Sequence, residues 1–542
     1  MSPTSIKIRK LAILIHRWMG VFFCVLFAAW FISGITMMYW SYPEVGQEDR
    51  LGRSPVLDAS RIQISPDQAY ASLHFSQPPR QVKINTLDGR PVYRFRSGPT
   101  QFLVYADDGK PLELVPQDLA LRVASAWTGQ PASLAKFNGA IEKEDQWTVN
   151  PSIRPFGPFW KYSWPDGQEV YVSQISGEVV QHTTRGSRIA AYFGAIPHWL
   201  YFTGLRRNNA AWRAVVIWSS GIGMVMIIFG LVVGLWLYSP SKRYRFRTGG
   251  SGTSPAGRRG WRNLISPEGA SSIPYAGQKR WHTVLGLFFG LVILTWTFSG
   301  MLSMNPLQWS PGGTGVALAA ALRGAEWRPE PFASEHPSDA LRRVAPLLNV
   351  KELELMFFRG GPVYVATEAP GRSRIIPLRG TPELAFDRAL VVETVALASR
   401  PHALAEVRTI EEYEPYYVDR HHGLPLPALL VRLNDSERSM HYIDLRTGRI
   451  VESYVTRSRW NRWLYHGLHS FDLPWLYRNR PAWDIAVLTL MLGGTALCIT
   501  SVIIGWRRLR RKWRMRRLSG RIPSATPEGL LVHRSGPNRS LL

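Results

Sequence analysis

Four histidines stand beside long apolar runs, and their spacing repeats. His16 and His282 each open such a run, and 17 residues later each is followed by a Ser-Gly pair, Ser33-Gly34 and Ser299-Gly300. His198 and His469 each precede another run, with Trp212 and Trp483 standing 14 residues further on. An ionisable side chain in or beside a bilayer is costly to hold, so it marks a functional position by default. Neutral imidazole is a ligand for iron, zinc and copper. His466 lies three residues before His469 and shares its face if the segment is helical, which makes it the alternate candidate.

The elements that must position these residues also repeat. An offset of 271 relates His198 to His469, Tyr171 to Tyr442, Gly177 to Gly448, Arg188 to Arg459 and Asn208 to Asn479. An offset of 266 relates His16 to His282 and Trp30 to Trp296. The pattern implies an internal duplication of a two-helix membrane module. Four runs, 11–40, 214–238, 284–304 and 485–506, reach the ~20 apolar residues that a spanning helix needs. The mean hydropathy of the whole chain is only −0.10, so large water-exposed regions must lie between them.

Charge sets the expected topology. The formal net charge is +26, and basic residues crowd the starts of spans one and three, the loop 241–262 and the stretch 507–517. Each cluster flanks a span, which puts both termini and the middle loop in the cytoplasm by the positive-inside rule. No basic face on a soluble segment supports nucleic-acid binding; the basic ends should instead rest on anionic lipid. The first run is too long for a signal peptide and lacks a cleavage site, so it reads as a retained anchor. Cys24 and Cys498 both fall in spans and offer neither a disulfide framework nor covalent haem attachment.

The expected order is helix 1 (1–41), a first periplasmic region (42–188), an interfacial segment with helix 2 (189–240) and a cytoplasmic loop (241–279). Helix 3 (280–305), a second periplasmic region (306–457), an interfacial segment with helix 4 (458–507) and a basic tail (508–542) repeat that order. Each soluble region reads as α+β. Ser65-Pro66-Asp67 is an N-cap with proline at the first helical position. Strands are expected over 81–85, 92–96, 102–105, 170–174 and 178–181, with turns at Asp88-Gly89 and Asp108-Gly109.

This topology puts His16 and His282 near the cytoplasmic face, and His198 and His469 near the opposite one. One cofactor cannot bridge most of a ~30 Å core, so the symmetric pairs are His16 with His282 and His198 with His469. Two facing imidazoles in an apolar site suit the axial positions of haem b, two haems per chain, held without covalent attachment. Zinc wants further ligands, and none recurs beside these histidines; copper stays open by ligand type. A histidine bonded to lipid phosphate or a backbone carbonyl accounts for any single one of the four, but less well for a repeated set. Arg17 and Arg280, next to the inner pair, are candidates for haem propionates, and snorkelling to lipid heads explains them equally.

Tyr171-Val-Ser-x-x-Ser-Gly177 and Tyr442-Ile-Asp-x-x-Thr-Gly448 look like the strand–turn–strand signature of PepSY modules. With His16-Arg17-Trp18-x-Gly20 opening the first span, the chain resembles the PepSY-associated transmembrane family. The resemblance implies a bacterial inner-membrane, haem-containing reductase of iron–siderophore complexes that releases ferrous iron. The family's outer histidine often continues as His-Thr-Gly, whereas here the sequences are His198-Trp-Leu and His469-Ser-Phe.

No dinucleotide-binding glycine motif stands in a strand–helix context. Electrons would therefore come from a separate donor, a membrane quinol or a cytoplasmic reductase. Acidic–aromatic clusters at corresponding places, with Glu144, Asp145 and Trp147 in one and Glu412, Glu414 and Tyr416 in the other, are candidate surfaces for a bulky ferric chelate. A solvated face or an interdomain contact is the plainer account of them. The competing function is a non-enzymatic membrane protein whose PepSY-like regions bind or regulate a periplasmic protein or peptidase.

Overall fold

Four long helices carry the apolar runs: Pro3–Met37, Asn209–Leu237, Gln278–Leu302 and Arg480–Ser519. All four are long and apolar enough to cross a membrane. A computed structural model of the protein describes residues 3–73, 78–98, 100–238, 272–309, 314–419 and 423–519. The basic loop 241–262 and the tail beyond 519 lie outside the described residues.

The first and third helices each pack on the second and fourth, so they stand on the diagonal of a square bundle. Phe23, Phe27, Phe31, Ile293 and Trp296 fill its centre. Glycines make room for them: a Cβ on Gly223 would stand 2.7 Å from the ring of Phe27. The helices begin several residues before the apolar runs; the second starts at a polar cap, where the Asn208 side chain accepts from Ala211 N–H. The fourth was expected to stop near 506 but continues to Ser519. Arginine and lysine are good helix formers in water, and Arg508 and Lys512 lie 5.1 and 4.4 Å from the Trp18 ring, tying the extension to the first helix.

Both soluble regions stand at the same end of the bundle, one following the first long helix and the other the third, and their strands share one sheet. Ser65 caps the helix Pro66–Ala71 through a capping box with Gln68. The strands 81–87, 90–97, 100–105, 169–173 and 179–183 fall where alternation placed them, within a few residues. Each half has one four-stranded antiparallel sheet, in the order 136–141, 159–163, 169–173, 179–183 and 404–410, 428–433, 440–444, 449–454. The signature turns match: Gly177 has φ +67° and Gly448 +66°, a region that favours glycine.

The two soluble regions, drawn as separate units from the sequence, are joined. Strands 81–87 and 352–358 pair antiparallel at the middle of one seven-stranded sheet, with Val82 opposite Leu355 and Ile84 opposite Leu353. Each strand would otherwise be an open edge, which is prone to unwanted pairing. Lys83 meets Glu352 at 2.6 Å and Gln81 donates to Glu354 at 2.9 Å across the seam.

Candidate functional site

The bundle brings the histidines together in two pairs. His16 and His282 face each other from the diagonal helices with ring centres 6.1 Å apart and planes 36° apart. His198 lies on the short helix Ala195–Trp199 against the first long helix, and His469 on Leu468–Ser470 against the third. Their ring centres are 6.0 Å apart at 57°. Along the first helix the two levels, His16 and Ser33, are separated by roughly 25 Å at 1.5 Å per residue. With metal–nitrogen bonds of ~2 Å and about 1 Å from ring centre to nitrogen, two imidazoles sharing one metal have centres roughly 6 Å apart. Both pairs match that spacing.

The hydrogen bonds fix which ring nitrogen is available. His16 Nδ1 lies 2.9 Å from the Met226 carbonyl oxygen, so it donates there. Ser33 Oγ donates to the Trp30 carbonyl at 3.1 Å and therefore accepts from His198 Nδ1 at 3.2 Å. Ser299 Oγ donates to the Trp296 carbonyl at 3.1 Å and accepts from His469 Nδ1 at 3.1 Å. Thr500 and Ser501 both donate to the Leu497 carbonyl, at 2.7 and 2.9 Å, and accept from His282 Nδ1 at 3.2 and 3.3 Å. Protonated Nδ1 leaves the lone pair on Nε2 of each ring. Donation from the second ring nitrogen to a carbonyl or hydroxyl is what orients a metal-binding histidine and raises its basicity.

The outer pair opens on a cavity of about 320 Å³ walled by Phe27, Phe31, Trp199 and Trp483. Trp30 and Trp296 also line it, and among the described residues neither buried indole N–H has an acceptor. At Gly300 a Cβ would crowd the ring, standing 3.2 Å from His469 Cε1, while at Gly34 it would meet Met491 Cε at 2.5 Å and His198 Cε1 only at 3.4 Å. At the inner pair a Cβ on Gly230 would come within 2.5 Å of His16 Cε1. Among the described residues no group of three or more His, Cys, Asp or Glu forms a metal cluster. Two imidazoles at each level with Nε2 left unprotonated, and an aromatic wall at the outer pair, would suit a planar iron macrocycle, whereas a bare zinc ion usually takes further ligands.

The other sequence candidates fall into separate places. His466 is exposed on a π-helical turn and lies against Tyr465, ring centres 4.5 Å apart, while His469 faces His198. Arg17 is exposed and Arg280 half-buried, each close in sequence to an inner histidine. The acidic–aromatic clusters are largely spent inside the protein. Asp145 accepts from Tyr171 Oη at 2.6 Å and Glu414 from Tyr442 Oη at 2.6 Å, so matching tyrosines of the two halves each meet a carboxylate. Burial, and then the neighbouring carboxylate, pushes both phenols up. Glu144 pairs with Arg154 at 3.2 Å; Trp147 is buried against Tyr42; Tyr416 accepts from Trp463 Nε1 at 3.0 Å. Glu412 differs. Paired with Arg478 at 3.0 Å, it lines an open groove of about 820 Å³ that shares Met37, Met38 and Trp483 with the histidine cavity.

The residues that hold Nδ1 were only half visible in sequence. The recurring Ser-Gly pairs carried a signal, since serine anchors the ring in both and Gly300 leaves room for His469. Thr500 and Ser501 carried none, because Phe229 and Gly230 occupy the corresponding places in the first half.

Comparison with curated proteins gives no match. The family model of the PepSY-associated TM region matches residues 13–378, which include His16, His198 and His282 and end before His469. With about two thirds of its length under that match, the chain belongs to the PepSY-associated TM region family.

Proposed function

We propose that this protein is a bacterial inner-membrane dihaem b-type reductase, which moves electrons from a quinol or a cytoplasmic reductase to a periplasmic ferric siderophore or similar ferric chelate. The observation that carries this reading is the pair of facing-imidazole sites at two levels of one bundle, each ring held through Nδ1. Haem bound at each level supplies a one-electron carrier. His16 with His282, and His198 with His469, would hold the two haems through Nε2. Ser33, Ser299, Thr500, Ser501 and the Met226 carbonyl keep the proton on Nδ1. The phenylalanines and tryptophans between the levels exclude water and shorten the apolar gap.

Charge supports the orientation. Lys7, Arg9, Lys10, Lys279 and the arginines from 507 to 517 gather at the end of the bundle opposite the soluble regions, which would then be periplasmic. The groove beside Glu412 adjoins the outer histidine cavity, where a bulky chelate would come near the outer carrier. Reduction weakens the chelate's hold on iron, so ferrous ion is released. The tyrosines 171 and 442, which stand 271 apart, each donate to a carboxylate of their own half, Asp145 and Glu414, in keeping with descent of the two halves from one module.

The test is ferric-chelate reduction in proteoliposomes, with an electron donor supplied on the cytoplasmic side and ferrous ion trapped outside. His198→Ala and His469→Ala should abolish ferrous ion release. Equal release by the variants and the parent would refute the reading.

A further inference from the structure

The 14-residue spacing from His198 to Trp212 and from His469 to Trp483 has a mechanical reason that haem ligation alone does not supply. Both histidine helices end abruptly. Ala195–Trp199 is closed by Leu200 at φ +53°, and Leu468–Ser470 by Phe471 at φ +52°. A bulky side chain is disfavoured in that left-handed region and persists only where its surroundings enforce it. In both halves an indole does so. Trp212 Nε1 donates to the Trp199 carbonyl at 2.7 Å, and Trp483 Nε1 to the Ser470 carbonyl at 3.2 Å. Each carbonyl belongs to the residue directly after the histidine and directly before the left-handed one.

Both indoles are buried, Trp212 at 7% exposure and Trp483 at 2%. A guanidinium lies over each: Arg206 is 4.1 Å from the Trp212 ring centre and Arg480 4.9 Å from that of Trp483. The two arginines do not correspond in the repeat, since Arg206 matches Tyr477 and Arg480 matches Asn209. The cation has therefore been supplied separately in each half, which points to a requirement at the indole rather than to inheritance. Trp483 also forms part of the cavity wall next to His469.

We infer that Trp212 and Trp483 are positioning residues of the outer histidine pair. Each indole N–H clamps the carbonyl that follows the histidine, locks the left-handed cap and so fixes the angle at which the imidazole enters the cavity. The spectroscopic part of the test rests on haem at that pair; the mechanical part does not.

The experiment uses full-length purified protein with Trp483→Phe, and separately with Trp483 replaced by its isosteric benzothienyl analogue, which keeps the bulk and lacks only the N–H. Hydrogen–deuterium exchange of segment 468–474 should speed up roughly fivefold, the loss of one hydrogen bond, with the third long helix unchanged. In the haem-loaded protein the low-spin spectrum and midpoint potential of one haem should shift while the other stays fixed. Trp212→Phe should do the same through segment 195–203. Unaltered exchange in these segments would overturn the clamp, as would equal shifts of both haems. Faster local exchange in the variants of a parent protein that binds no haem would leave the clamp standing and remove the haem reading instead.

Discussion

A single methyl group measures how closely an inner histidine is held. A Cβ on Gly230 would stand 2.5 Å from His16 Cε1, and both atoms belong to packed helices with little freedom to part. Gly230→Ala should therefore displace the His16 ring and remove the inner haem, leaving the outer one in place, as read by a pyridine haemochrome count. The four histidines themselves were legible in the sequence because imidazole beside an apolar run is rare and their spacing recurs. Their choice of nitrogen was not, because it depends on hydroxyls such as Thr500 and Ser501 that come close only when distant helices pack. His441 shows the opposite case. Nothing in its sequence setting marks it as buried, yet it is 1% exposed, and burial holds it down to about 4 from an ordinary 6.5. The unfolded chain takes up a proton at His441 near pH 6.5, and the folded chain resists until about pH 4. Stability is thus full above 6.5 and falls as pH drops through that window, by up to about 3 kcal/mol at ~1.4 kcal/mol per unit. Thermal unfolding of the parent should lose this much, whereas His441→Phe should flatten the dependence.

Secondary structure was well marked by local chemistry. The capping box at Ser65, the Asp-Gly turns and the alternating strands fell where propensity placed them, because each is decided by neighbours within a few residues. The seam between strands 81–87 and 352–358 was not visible, since its partners stand more than 260 residues apart and each strand alone reads as an edge. The same holds for the helical extension past 506, where an apolar count stops but helix propensity does not. The seam makes the Lys83–Glu352 pair more than surface decoration: the lysine side chain is 19% exposed and the carboxylate 9%. Glu352→Gln leaves a poorly hydrated ammonium facing a neutral amide. It should lower soluble-domain stability by about 1–3 kcal/mol, seen as a reduced unfolding temperature, with the spans unaffected.

For the whole molecule, both soluble regions stand at one end of the bundle, and charge decides which side of the membrane that end faces. Asp166 is exposed on a soluble turn and Lys279 is exposed where the third helix begins. A membrane-impermeant maleimide should label Asp166→Cys in intact spheroplasts and Lys279→Cys only after lysis; the reverse pattern would invert the topology. The native cysteines are both buried and should stay silent. The central claim is two haems, one at each level. It is tested most directly by a reduced-minus-oxidised spectrum with a haem count on the parent, His16→Ala and His198→Ala proteins, expressed with haem supplementation. The account predicts two b-type haems in the parent and one in each variant, with different residual spectra. A colourless parent, or variants that keep the parent's haem content, would contradict it.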